Sequence, residues 1–143
     1  MKRWCKLAAL PASDRRLLAE AGLLLLRARI ELAILPFAKV VATHSGQISR
    51  GGTAGAAAQI PRVGWAVETA ARLSPLPLTC LPQALAAWWM LQSRGYPARL
   101  IYGVSNDGEA GFLAHAWVEV DGIPVVGGRA AQGYTVLTSF PKG

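Results

Sequence analysis

Two side chains in this sequence have the chemistry and the setting to act together as a nucleophile and a base. They are Cys80, in "TCLPQALAAWWMLQSRGYPARLIYGV" (residues 79–104), and His115, in "LAHAWVEVDG" (residues 113–122). A thiol becomes a nucleophile when a base takes its proton and the surroundings stabilise the thiolate. Thr79 suits an N-cap, Pro82 fits a first turn where its missing N–H costs nothing, and Ala84 to Arg94 are good helix formers closed by Gly95. Cys80 is therefore expected in the first turn of a helix. Unpaired backbone N–H groups and the positive end of the macrodipole there favour an anion and can also hold an oxyanion. The same position also suits a small buried hydrophobe, a common fate of a free cysteine. Gln83 shares a helix face with Cys80, as an extra donor to an oxyanion or substrate or as a plain solvent-facing glutamine.

The segments that follow must bring the base. "ARLIYGVS" and "GFLAHAWVEV" are rich in β-branched and aromatic residues, and "VDGIPVV" sets Asp-Gly between two apolar runs, the pattern of a tight hairpin. A meander of antiparallel strands packed on the Cys80 helix is expected. Alternation puts His115, Trp117 and Glu119 on one strand face and Ala114, Ala116, Val118 and Val120 on the other. With a two-residue turn at Asp121 and Gly122, Val120 pairs with Ile123 and His115 stands opposite Gly128. A lone histidine is more often structural than catalytic. A Cys-headed helix followed by a strand bearing histidine is nevertheless the chain order of cysteine–histidine acyl-transfer enzymes. Trp88, Trp89 and Trp117 read mostly as core.

Upstream, Ser13 is a candidate N-cap with Asp14 in the first turn, and a leucine-rich helix runs to about Leu35, where Pro36 closes it. Its apolar stripe either packs in the core or presents a surface to a partner or a membrane. Residues 43–59, "THSGQISRGGTAGAAAQ", lack any period and read as a flexible connector. A second helix is expected from about Pro61 to Leu73, and the prolines of "SPLPL" then stretch the chain toward Thr79. The organisation is thus an N-terminal helical region (1–42), a connector (43–59) and a core (60–143) that forms one compact unit with the first helix.

A chain of 143 residues, 52% of them hydrophobic, buries one core. The net charge of +7 favours acidic partners. Basic residues are scattered, without interleaved aromatics or a zinc-finger pattern, so nucleic acid is not expected. Cys5 and Cys80 are too few for a disulfide framework and lack metal-site spacing, so a reducing compartment is the default and no metal is expected; no cofactor is expected either. Glu20, Arg27, Arg29 and Glu31 interrupt the most apolar stretch well short of the ~20 residues a spanning helix needs. The N-terminus is a poor signal peptide, so the protein is expected in the cytoplasm, free or lying against a membrane.

The Cys80 helix, "RGYPARLIYGV" and above all "AHAWVEVDG" resemble the transglutaminase-like cysteine protease domain of lasso peptide biosynthesis B proteins, over roughly residues 60–137. The N-terminal leucine-rich helix is similar too. The resemblance implies an α+β fold with a transglutaminase/papain-like core, in which N-terminal helices and a Cys-bearing helix pack on a small antiparallel sheet. It also implies a peptidase that removes the leader from a ribosomally made precursor and hands the core peptide to an ATP-dependent macrocyclase. Some members fuse a leader-binding domain in front; the stretch matched here is expected to work without one, with a separate small protein that binds the leader. Cys80 would be the nucleophile and His115 the base, with helix N–H groups holding the oxyanion. The family's third member, an aspartate, is missing from "VVGGR", residues 125–129. Asp121 and Glu119 lie roughly 20 and 13 Å along the strand from His115 at ~3.3 Å per residue. Asp107 or Glu109 in the preceding loop, a backbone carbonyl or a water are the remaining candidates. A catalytically weak scaffold for leader or macrocyclase, and a transglutaminase-like acyl transferase, are the alternative functions.

Overall fold

Helix α5 (Cys80–Ser93) forms the centre of the molecule because nearly all of it is apolar. Every residue from Ala84 to Gln92 is buried, so it behaves as a helix with no solvent face. Burying side chains such as Leu85, Trp88, Met90 and Leu91 favours folding by about 1.5–3 kcal/mol each before entropy is counted. The helix starts where expected: Thr79 is the extended N-cap residue, although its hydroxyl makes no capping bond. It ends in a left-handed Gly95 whose N–H donates to the Gln92 carbonyl. The computed structural model describes residues 2–44, 58–76, 78–107, 111–128 and 133–140.

One side of α5 is covered by helices α2 (Ala12–Ile34) and α4 (Gln59–Leu73). Leu18, Ala21, Leu25 and Ala28 form the buried stripe of α2, at the 3–4 residue spacing of one helix face. The long N-terminal helix is therefore part of the core, while Leu23, Leu26, Ile30 and Ile34 remain exposed on it. Two ion pairs fix its position: Arg62 of α4 pairs with Asp14, and Arg94 makes a two-pronged pair with Glu20 at 2.9 and 2.6 Å. That carboxylate holds the Arg94 guanidinium above its ordinary pKa. Ser13 is not the N-cap. The helix begins at Ala12 behind Pro11, whose carbonyl receives the Asp14 and Arg15 N–H groups. Two short helices, α1 (Lys2–Ala8) and α3 (Phe37–His44), extend the helical region beyond the single expected helix. Pro36 ends α2 yet starts α3, since its carbonyl takes the Lys39 and Val40 N–H groups. Of the expected connector, Thr43 and His44 belong to α3 and Gln59 to α4, while residues 45–57 lie outside the described residues.

On the other side lies a sheet of β1 (Ala98–Asp107), β2 (Gly111–Val120), β3 (Ile123–Val126) and β4 (Thr135–Phe140), ordered β3-β2-β1-β4 and antiparallel throughout. The first three strands are the expected meander; β4 departs from it by crossing to the far edge and pairing with β1. Ala98, Leu100, Ala116, Val118 and Val120 make the sheet's half of the core, and the Trp88 indole N–H donates to the Ala98 carbonyl at 3.2 Å. The Asp121–Gly122 turn has both residues at positive φ, 51° and 79°, as a two-residue hairpin of matching twist requires. Val120 pairs with Ile123 as expected, but the register then slips. Glu119 pairs with Pro124 and Val118 with Val126, leaving Val125 as an extra residue in a β-bulge. Among the described residues the ladder ends at Val126, so none of them pairs with His115 on that side and Gly128 does not stand opposite it. No described helix is long and apolar enough to cross a membrane.

Candidate active site

A cavity of 470 Å³ opens at the N-terminus of α5. Thr79, Cys80 and Gln83 line it from the helix, Glu68, Ala71 and Arg72 from α4, and His115, Val126 and Gly127 from the sheet edge. Cys80 is the first residue of α5 and is only partly buried. The first N–H groups of a helix have no partner within it, so the end of α5 that carries Cys80 offers donors suited to a developing oxyanion. Gln83 is tied down, its amide N–H donating to the Leu78 carbonyl at 2.9 Å, so one of its two donors is already spent on shaping the chain before the cysteine.

His115 is buried. It shares its face of β2 with Trp117, opposite the face packed on α5, and the two rings stack with centroids 5.9 Å apart. It lines the Cys80 cavity together with Val126, the last residue of β3, and Gly127. Tyr134 covers the ring from another side, centroids 5.3 Å apart. Gly103, the cross-strand partner of His115, leaves room for the Trp117 indole: a Cβ there would stand 2.9 Å from its ring. The imidazole Nε2 lies 2.8 Å from the Gly127 carbonyl oxygen.

The structure brings Cys80, His115 and Gln83 to one cavity, and the backbone positions of Asp121 and Asp107 lie well along the strands from His115. Asp121 is exposed at the hairpin turn, six residues along β2 from His115. Asp107 ends β1 opposite Gly111, four pairs beyond the Gly103–His115 pair and so ~13 Å along the ladder. Glu109 lies outside the described residues. Glu119 accepts a hydrogen bond from the Trp117 indole at 3.1 Å instead. Among the described residues, no three His, Cys, Asp or Glu side chains converge as metal ligands. Sequence reasoning missed Glu68 and Arg72, which supply a charge of each sign to the cavity wall, and Tyr134. The i, i+4 spacing of the first two is legible, but which α4 face meets the cysteine is decided only by packing.

Residues 22–139 match the family described as the transglutaminase-like superfamily. The match spans most of the chain, and the protein belongs to that superfamily, whose fold typically serves cysteine proteases or acyl transferases. No curated protein and no solved structure matches the chain significantly.

Proposed function

We propose that this chain is a cysteine peptidase that removes the leader from a ribosomally synthesised lasso precursor peptide before macrocyclisation. The observation that carries the peptidase reading is the single cavity lined by a helix-first cysteine and a buried histidine. The narrower substrate assignment is supported by the resemblance of "AHAWVEVDG" and the Cys-headed helix to lasso biosynthesis B proteins.

In the first half-reaction His115 accepts the Cys80 thiol proton and the sulfur attacks the scissile carbonyl. The α5 N–H groups stabilise the oxyanion, and the C–N bond breaks as the histidine returns the proton to the departing amine. In the second, His115 takes a proton from water, hydroxide adds to the thioester, and the C–S bond breaks to release the leader as a carboxylic acid. The thiol is regenerated, and the freed amine begins the core peptide that an ATP-dependent macrocyclase would close. A separate leader-binding protein delivers the substrate.

Incubating the purified chain with a lasso precursor peptide and its leader-binding protein, then weighing the products, tests this reading. A leader and a core whose masses sum to the precursor plus one water are expected. A product in which an added amine replaces water would instead identify an acyl transferase. No product with any precursor, alongside binding of the leader, would leave the scaffold reading.

A further inference from the structure

The position where an orienting carboxylate is expected holds two glycines, Gly127 required by its backbone conformation and Gly128 by close packing. Gly128 lies against the Pro124 ring, where a Cβ would overlap the ring carbons. Gly127 has φ +76°, and a Cβ on it would stand 3.2 Å from His115 Nε2 and 3.1 Å from the Ala116 carbonyl. The chain turns sharply here because Val125 is bulged out of the ladder, and the bulge is seated on α4 at Gly64. A Cβ on Gly64 would come within 2.6 Å of the Val125 carbonyl. The outcome is a main-chain carbonyl aimed at the imidazole, 2.8 Å from Nε2.

A carbonyl oxygen only accepts, so this bond requires a proton on Nε2. In the neutral ring Nδ1 is then the free lone pair. We propose that the Gly127 carbonyl is the positioning group of the Cys80–His115 pair. It holds His115 as the Nε2–H tautomer and thereby makes Nδ1 the proton acceptor, and the Gly64-seated bulge sets its aim. The usual task of a third member is to fix the tautomer and steady the imidazolium, and a carbonyl dipole performs the first fully and the second without a full charge. Of the carboxylates that would compete, Glu119 serves Trp117, Asp121 is at the turn and the Asp107 backbone lies four pairs away; Glu68 lines the same cavity, but the hydrogen bond on His115 is the one to the Gly127 carbonyl. The orientation of the ring stands whether or not the chain is a peptidase. Its consequence for rate rests on the peptidase reading.

The test separates the two. Long-range ¹⁵N–¹H correlation spectra of the Cys80→Ala protein, at a pH where the imidazole is neutral, report the tautomer directly. Only two histidines need assigning, and a His115→Asn variant identifies the signal. The expected result is a single Nε2–H tautomer. An Nδ1–H tautomer, or an equal mixture of the two, overturns the proposal even if the enzyme is active.

Gly127→Ala and Gly122→Ala then provide a matched pair. Both place a side chain at a left-handed glycine, with φ of 76° and 79°, but around Gly122 there is nothing within 4 Å. Gly127→Ala is expected to mix the tautomers and, in the Cys80 protein, to lower kcat for peptide cleavage by roughly tenfold or more with little change in KM. Gly122→Ala should change neither. Equal effects of the two substitutions would reduce Gly127 to a backbone requirement and remove its positioning role. Should Gly127→Ala fail to fold, the tautomer of the parent protein still decides the question.

Discussion

A free cysteine inside a fold is most often a small hydrophobe, and its surroundings distinguish that role from chemistry. Cys80 opens on a cavity that it shares with a histidine, whereas Cys5 is exposed on a short N-terminal helix away from that cavity. If exposure governed reactivity, Cys5 would react first. Thiol reactivity instead follows the thiolate fraction, which a neighbouring base raises. Iodoacetamide is therefore expected to label Cys80 before Cys5, with the order lost in His115→Ala; peptide mapping after short exposures reads this out. Cys80→Ala and His115→Ala should each lower cleavage by roughly four orders of magnitude or more, because nucleophile and base act as a unit. Cys5→Ala should leave it unchanged, with circular dichroism confirming the fold in all three. Wild-type cleavage by Cys80→Ala would dismiss the nucleophile assignment.

At the scale of elements, the site is held by α5, by α4 beside it and by the strands that α5 packs on. Trp88 ties the helix to the sheet, being fully buried with its indole N–H on the Ala98 carbonyl at the start of β1. Trp88→Phe keeps most of the apolar volume but strands that carbonyl without its donor, at an expected cost of about 1–3 kcal/mol. Urea unfolding with an unchanged m-value would measure it, and a loss below ~0.5 kcal/mol would mean that the bond contributes little.

How far the sequence revealed these elements follows from how local their causes are. Thr79, Pro82 and Gly95 act through their own backbone, so α5 was legible to within a residue or two, as was the Asp121–Gly122 turn. The buried face of α2 was legible as a stripe, but its destination in the core was not, because that depends on α4 and α5. The bulge at Val125 has no local signal. It arises where α4 offers a glycine for the carbonyl to rest on, and one inserted residue changes every pairing beyond it. The slip removes the expected His115–Gly128 pairing, and the left-handed Gly127 just past Val126 gives His115 a carbonyl instead. The missing aspartate was visible in the sequence, while its replacement by a carbonyl is a property of backbone path alone.

The whole molecule carries a net charge of +7, and the described residues around Cys80 and His115 line a cavity of 470 Å³. A cavity of that size holds only a few side chains, which offers little surface to a flexible precursor. Selectivity under the proposed function must then come largely from delivery. A leader-binding protein that docks on this chain turns encounter of the scissile bond into an intramolecular event, at an effective concentration in the millimolar range for a short linker. With precursor at low micromolar concentration, cleavage is expected to accelerate by roughly 10²-fold or more when that protein is added. The gain should appear in kcat/KM and vanish when the linker is lengthened well beyond the span or the leader is supplied as a separate peptide. If the docking faces or the leader are acidic, the positive charge steers association, and raising ionic strength from about 0.05 to 0.5 M shortens the Debye length to only ~4 Å and should remove most of the steered component. Cleavage of a short peptide that lacks the leader should be slow and nearly salt-independent, since no long-range field is acting on it. Equal rates with and without the leader-binding protein at sub-saturating precursor would mean that the cavity itself selects the substrate, and Glu68 and Arg72 on its wall would be the side chains to exchange first.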